Sequence, residues 1–187
     1  MPLIYDTTVA AVPQSGDWQC SAAATAWLLG ALGKPTTQDD VVASLGPGRI
    51  DPNVGLHDAS GAGLAAVLDA TYGVAAANGP LASFDDALGL AAAGPYLLGG
   101  AAWDHWTGVR GSADGQALDL ANPSPGYRGV ASSLSRDQFA RLGPFSAVWP
   151  TDVAAADAPA SSTTETGPPG WTIIVAGLAA LWALESL

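Results

Sequence analysis

Cysteine is nearly missing from this 187-residue chain: Cys20 stands alone, so no internal disulfide can form, no oxidising compartment is implied, and thiol chemistry has a single candidate. Basic residues are scarce as well. Six Lys and Arg against seventeen Asp and Glu leave a formal net charge of -11, which repels a phosphate backbone and offers no basic stripe to track one, so nucleic acid is not expected as a partner. There are two histidines and no closely spaced pair of ligands, so no metal site is expected, and His57 with Asp51 and Asp58 reads as a surface loop. Gly61-Ala62-Gly63 has the look of a dinucleotide loop. A polar, turn-rich stretch precedes it where a strand is needed, and no cofactor is expected. No basic segment followed by a long apolar run opens the chain. Secretory export is therefore not expected, and the location is read as intracellular or particle-associated.

What is abundant is small and apolar. Hydrophobic residues make up 49% and charged residues 12%, with 38 alanines, a composition that excludes wholesale disorder and suits closely packed helices in one domain. Ser21 to Leu32 is built of helix formers and is stopped by Gly33 and Pro35. Asp17, three residues ahead of Cys20, is expected to cap that helix, which places Cys20 in the first turn, where free amides and the helix dipole favour a thiolate. Four more short helices are signalled by caps: Thr37 with Asp40, Ser60 ahead of an Ala-rich run ending at Gly73, Ser83 with Asp86, and Ser135 with Gln138 ahead of Gly143. Strand signals gather in the second half, at residues 95–102, 106–111, 116–121 and 145–149, with an Asp-Gly turn at 114–115 joining the middle two as an antiparallel hairpin. Helices first and strands after predict an α+β fold, with N-terminal helices packed on a C-terminal antiparallel sheet.

The expected domain runs over residues 1–150. A Pro/Ala/Ser/Thr-rich linker follows at 151–170, and an apolar C-terminal helix at 171–187. As a helix those last 17 residues span roughly 25 Å, against the ~30 Å of a bilayer core. The tail carries Glu185 and no flanking Lys or Arg, so contact with a membrane and packing against a protein assembly both stay open.

Chemistry concentrates in three stretches: Val12 to Cys20, Trp103 to Gly111, and Leu118 to Pro123. A cysteine nucleophile needs a base, a group that orients the base, and a donor for the oxyanion. Cys20 opens a helix, His105 opens a strand, and Asn122 ends the next strand of the same hairpin, so the last two meet across the sheet. Gln14, six residues ahead of Cys20, is placed to turn its amide back toward the thiol. Along 117–122 a period of two puts Leu118, Leu120 and Asn122 on the core side, with Asp119 opposite as the runner-up third partner. The same alternation points Asp104 away from His105. Trp18 is expected to line a subsite, and the loop from Pro47 to Ala59 to border the cleft.

This order of residues resembles the papain-like cysteine peptidases, in particular the compact branch that includes the leader peptidases of bacteriocin exporters and bacterial and phage homologues. The likeness runs from about Ile4 to Pro150. It implies Cys20 as nucleophile, His105 as general base and acid, Asn122 as the residue orienting His105, Gln14 as oxyanion donor, and a peptide or protein substrate. Asn122 stands where the leader peptidases usually carry Asp, which moves the triad toward papain itself. The expected function is a thiol-dependent hydrolase of peptide or isopeptide bonds. A cell-wall amidase or acyltransferase would use the same thiolate, and a catalytically silent binding or assembly module on the same fold is the alternative from another class.

Overall fold

A computed structural model describes residues 5–152. The expected apolar helix at 171–187 and all but the first two residues of the expected linker lie outside the described residues. Among the described residues no helix is long and apolar enough to cross a membrane.

Among the described residues five α-helices and eight strands follow one another as α1 (Cys20–Ala31), α2 (Gln38–Leu45), β1 (Ile50–Asp51), β2 (Gly55–Leu56), α3 (Ala62–Tyr72), β3 (Ala76–Leu81), α4 (Phe84–Ala93), β4 (Tyr96–Gly100), β5 (His105–Gly111), β6 (Ala117–Ala121), β7 (Ser133–Ser135), α5 (Arg136–Leu142) and β8 (Phe145–Pro150). β1 and β2 form a small hairpin; the remaining six strands form one antiparallel sheet in the order β3, β8, β4, β5, β6, β7. The fold is α+β, as the sequence implies.

Three helices begin where their caps are written. Thr37 with Asp40, Ser83 with Asp86, and Ser135 with Gln138 each close a reciprocal capping box, satisfying free amides at the helix start. α1 departs from expectation. Its N-cap is Gln19, no side chain caps it, and Asp17 lies exposed in the preceding loop. α3 also starts differently, on Gly61 in the left-handed region, with the Ser60 hydroxyl accepting from the Ala62 amide at 3.3 Å.

Alternation along the sheet makes two cores. Leu97, Trp106, Ala121 and Val148 face α1, α2 and α3 on one side; Tyr96, Leu98, Val109, Leu118, Leu120 and Ala147 face α4 and α5 on the other. Both faces of the sheet are thus covered. α1 is buried all round, from Ser21 through Leu29, because alanines at 22, 23, 24 and 26 let neighbouring backbones approach closely. Trp27 anchors it: the ring is fully buried over β5, its indole N–H donates to the Val9 carbonyl at 3.1 Å, and the Arg110 guanidinium lies 5.4 Å from its centre.

Candidate active site

The N-terminus of α1 and the start of β5 meet at one cleft of about 420 Å³, whose walls include Cys20, His105, Trp18, Trp106, Asp104 and Tyr127. The segment ahead of Cys20 is fastened at both ends. Gln14 donates its backbone N–H to the Pro123 carbonyl at 3.1 Å, next to Asn122 in the chain. Gln38 of α2, itself buried, holds the other end through Ser15 and Gln19. That second tie spans 19 to 23 residues and carries no local signature.

His105 is 4% exposed, and its Nε2 lies 2.8 Å from Asn122 Oδ1. The amide of Asn122 has a determined orientation: Nδ2 donates to the carbonyls of Val130 and Ala131, at 3.1 and 2.9 Å, and Oδ1 accepts from the Ser124 amide at 3.0 Å. With oxygen facing the ring, His105 must donate through Nε2–H, and the basic lone pair therefore resides on Nδ1. Asp119, the runner-up, sits in register with Gly111 and Ser133 further along the hairpin.

Two aromatic rings pack against the imidazole. Trp103 meets it edge-on at 4.9 Å, and Tyr127 lies over it at 5.1 Å with a tilt of 35°. Tyr127 comes from a short 3-10 turn whose residues Gly126, Arg128 and Gly129 all have positive φ, a sharp reversal that composition alone does not announce.

Electrostatics depart from the expected thiolate. Burial pushes the Cys20 thiol up; the backbone amides of Trp106, Ser21 and Cys20 itself aim at the sulfur and pull the other way, but less. The helix start acts in the direction anticipated and is outweighed by desolvation. Burial likewise holds His105 below its ordinary value, against the opposing effect of the Asn122 hydrogen bond. Burial therefore favours the uncharged form of both groups that line the cleft.

Asp104 also departs from its expected place. Its φ of 55° lies in the left-handed region, so strand alternation does not apply, and the residue lines the cleft, where its charge raises both Cys20 and His105. Trp18, Trp106 and the loop residues Pro52 to Leu56 and Ala59 form other parts of the wall, as the sequence suggests for Trp18 and for the 47–59 loop. Gln14 is half-buried outside that wall, with its side-chain oxygen enclosed and unpartnered among the described residues. Among those residues no group of three His, Cys, Asp or Glu side chains is placed to hold a metal.

The arrangement of α1, the sheet and the cleft at their junction is that of a papain-like fold. A solved structure described as a double glycine motif protease from an AMS/PCAT transporter, in complex with the leader peptide, superposes with a TM-score of 0.55 at 16% identity, covering 74% of this chain and 89% of that one. No protein-family model matches the chain, and no curated protein does.

Proposed function

We propose that the protein is a thiol-dependent hydrolase of peptide or isopeptide bonds. One observation carries the reading: a buried imidazole, its tautomer set by an asparagine whose own amide is locked, shares a cleft with the chain's one cysteine at a helix start. The neighbouring protease, held with a leader peptide, supports a peptide as the occupant.

In this reading the proton moves when substrate arrives. His105 Nδ1 takes the thiol proton as Cys20 Sγ adds to the carbonyl carbon, and the resulting oxyanion is held by the Cys20 amide, joined by the Gln14 side-chain nitrogen once that side chain turns into the cleft from its resting place outside the wall. Collapse breaks the C–N bond while His105 returns the proton to the leaving amine. Water, deprotonated by His105, then attacks the thioester; the acid departs and the thiol is restored. Asn122 keeps the ring oriented through both proton transfers. Transfer to another acceptor in place of water would make the same site an acyltransferase, and assembly or membrane contact through the tail belongs to the alternative, a silent binding module.

A peptide vinyl sulfone tests the assignment. Wild-type protein should be modified at Cys20 near neutral pH, with Cys20→Ala unlabelled and His105→Ala slowed by at least about 100-fold. Equal labelling of wild type and His105→Ala would remove the catalytic reading.

A further inference from the structure

The cleft walls carry charge of one sign. Asp17 enters from the loop ahead of α1, and Asp104 from the turn ahead of β5, so carboxylates stand on both chain segments that supply the thiol and the imidazole. Among the described residues no Lys or Arg lines the cleft. Arg128 borders the rim through Tyr127, but its guanidinium is engaged by the Ala102 carbonyl at 3.2 Å and by the Tyr127 ring, and the ion pair among the described residues joins Arg136 to Asp85, elsewhere on the molecule. Asp104 is also held in place. Its amide donates to the Gly100 carbonyl at 2.6 Å, and its left-handed backbone turns it out of the strand alternation.

From this we infer that Asp104, seconded by Asp17, is a specificity-determining residue that selects substrates bearing a cationic group next to the scissile bond. The inference rests on the proposed hydrolase reading and deepens it by naming a substrate class. Asp104 adjoins His105 in the chain, and its charge reaches both the sulfur and the imidazole, so a cation that contacts it lies within a residue or two of the bond being cut. A net charge of -11 adds a long-range attraction for the same ligands. An anionic residue at that place meets two unpaired carboxylates and is rejected.

Binding to Cys20→Ala separates this inference from the chemistry. N-acetylated hexapeptides of Ala and Gly, with Lys, Gln or Glu scanned through each position, are titrated against it by tryptophan fluorescence, since Trp18 and Trp106 line the cleft. At one position or more, Lys should bind at least about tenfold tighter than Glu, equivalent to about 1.4 kcal/mol. That ratio should fall toward one when Asp104→Asn is added, to a smaller extent with Asp17→Asn, and in 0.5 M salt as surface charge is screened. Asn tolerates the left-handed backbone, so Asp104→Asn keeps the fold. Equal or absent binding of Lys and Glu peptides, or a preference unmoved by both substitutions, overturns the inference. Labelling of wild-type protein by a peptide vinyl sulfone, with no charge preference in Cys20→Ala, leaves the hydrolase reading standing alone; the converse pattern leaves a cation-selective cleft without that chemistry.

Discussion

Trp27 lies over Gly108 so closely that a Cβ on the glycine would fall 2.0 Å from the indole ring. This contact fixes how α1 sits along β5. Cys20 is seven helical residues before Trp27, about 10.5 Å at ~1.5 Å per residue, and His105 is three strand residues before Gly108, about 10 Å at ~3.3 Å. Helix and strand run the same way from the contact, as the Trp106 amide aimed at the Cys20 sulfur requires. Equal lengths in two different periods therefore deliver thiol and imidazole to one end. Gly108→Ala should cost about 2 kcal/mol or more in denaturant unfolding, because neither the buried ring nor the strand has room to yield. Gly89→Ala is the contrasting case: it lies within α4 with nothing inside 4 Å of a new Cβ, and should gain about 0.5–1 kcal/mol.

Asn122 permits a second prediction from its two donated bonds. In Asn122→Asp the Nδ2 donor becomes an oxygen facing the carbonyls of Val130 and Ala131, inside a site 3% exposed. A loss of several kcal/mol in stability is expected, since a buried charge is left opposite two acceptors. Asn122→Ala should lose less stability yet slow vinyl sulfone labelling by about 10–100-fold, because the imidazole is no longer held in the Nε2–H tautomer. Denaturant melts beside labelling rates check both. A labelling rate unchanged in Asn122→Ala would show that the ring needs no such partner.

The opposite shifts of His105 and Cys20 set a pH window for stability. His105 has a folded pKa below its unfolded value of about 6.5, so the unfolded chain binds the extra proton first and stability falls as pH drops from there toward the folded value. Cys20 has a folded pKa above its unfolded value of about 8.5, so its stabilisation is intact below that and is lost as pH rises through the folded value. Unfolding free energy should thus be flat between about pH 6.5 and 8.5 and decline on either side. Cys20→Ala should remove part of the alkaline decline and leave the acid one. Further down, near the ordinary carboxylate range, Asp58 adds a separate acid loss, its pKa being lowered by hydrogen bonds with Ser60 first among them. A profile with a maximum below pH 6 would contradict the direction found for His105.

How much of this was readable beforehand follows the range of each signal. The capping boxes at Thr37, Ser83 and Ser135 span three residues and were legible, as was the hairpin that brings Asn122 to His105. β3 was not, because Asn78-Gly79-Pro80 is turn chemistry; the segment becomes a strand by pairing with β8 at the edge of the sheet, where proline is tolerated. β7 is three residues long and exists through its ladder to β6. At the site, residue types and order pointed to Cys20 and His105, whereas the ionisation of the thiol depended on burial that no spacing encodes. Asp104 was misplaced for a different reason: one residue of positive φ resets the alternation on which the reading relied.

Tyr127 offers the last test, because its partly exposed ring lies over the buried imidazole of His105. It is 36% exposed, lines the cleft, and lies over the imidazole at 5.1 Å, while Arg128 behind it ties the turn to Ala102. Removing the ring in Tyr127→Ala lets water reach His105, so the desolvation that depresses its pKa weakens and the value should move up toward about 6.5. The chain has two histidines, so a proton NMR titration reads His105 once its resonance is assigned by its loss in His105→Asn. Trp103 remains packed edge-on against the imidazole, and the Asn122 bond is untouched, so the tautomer should persist in the variant. A His105 titration identical in wild type and Tyr127→Ala would mean that the buried strand, and not the aromatic cover, keeps the imidazole neutral.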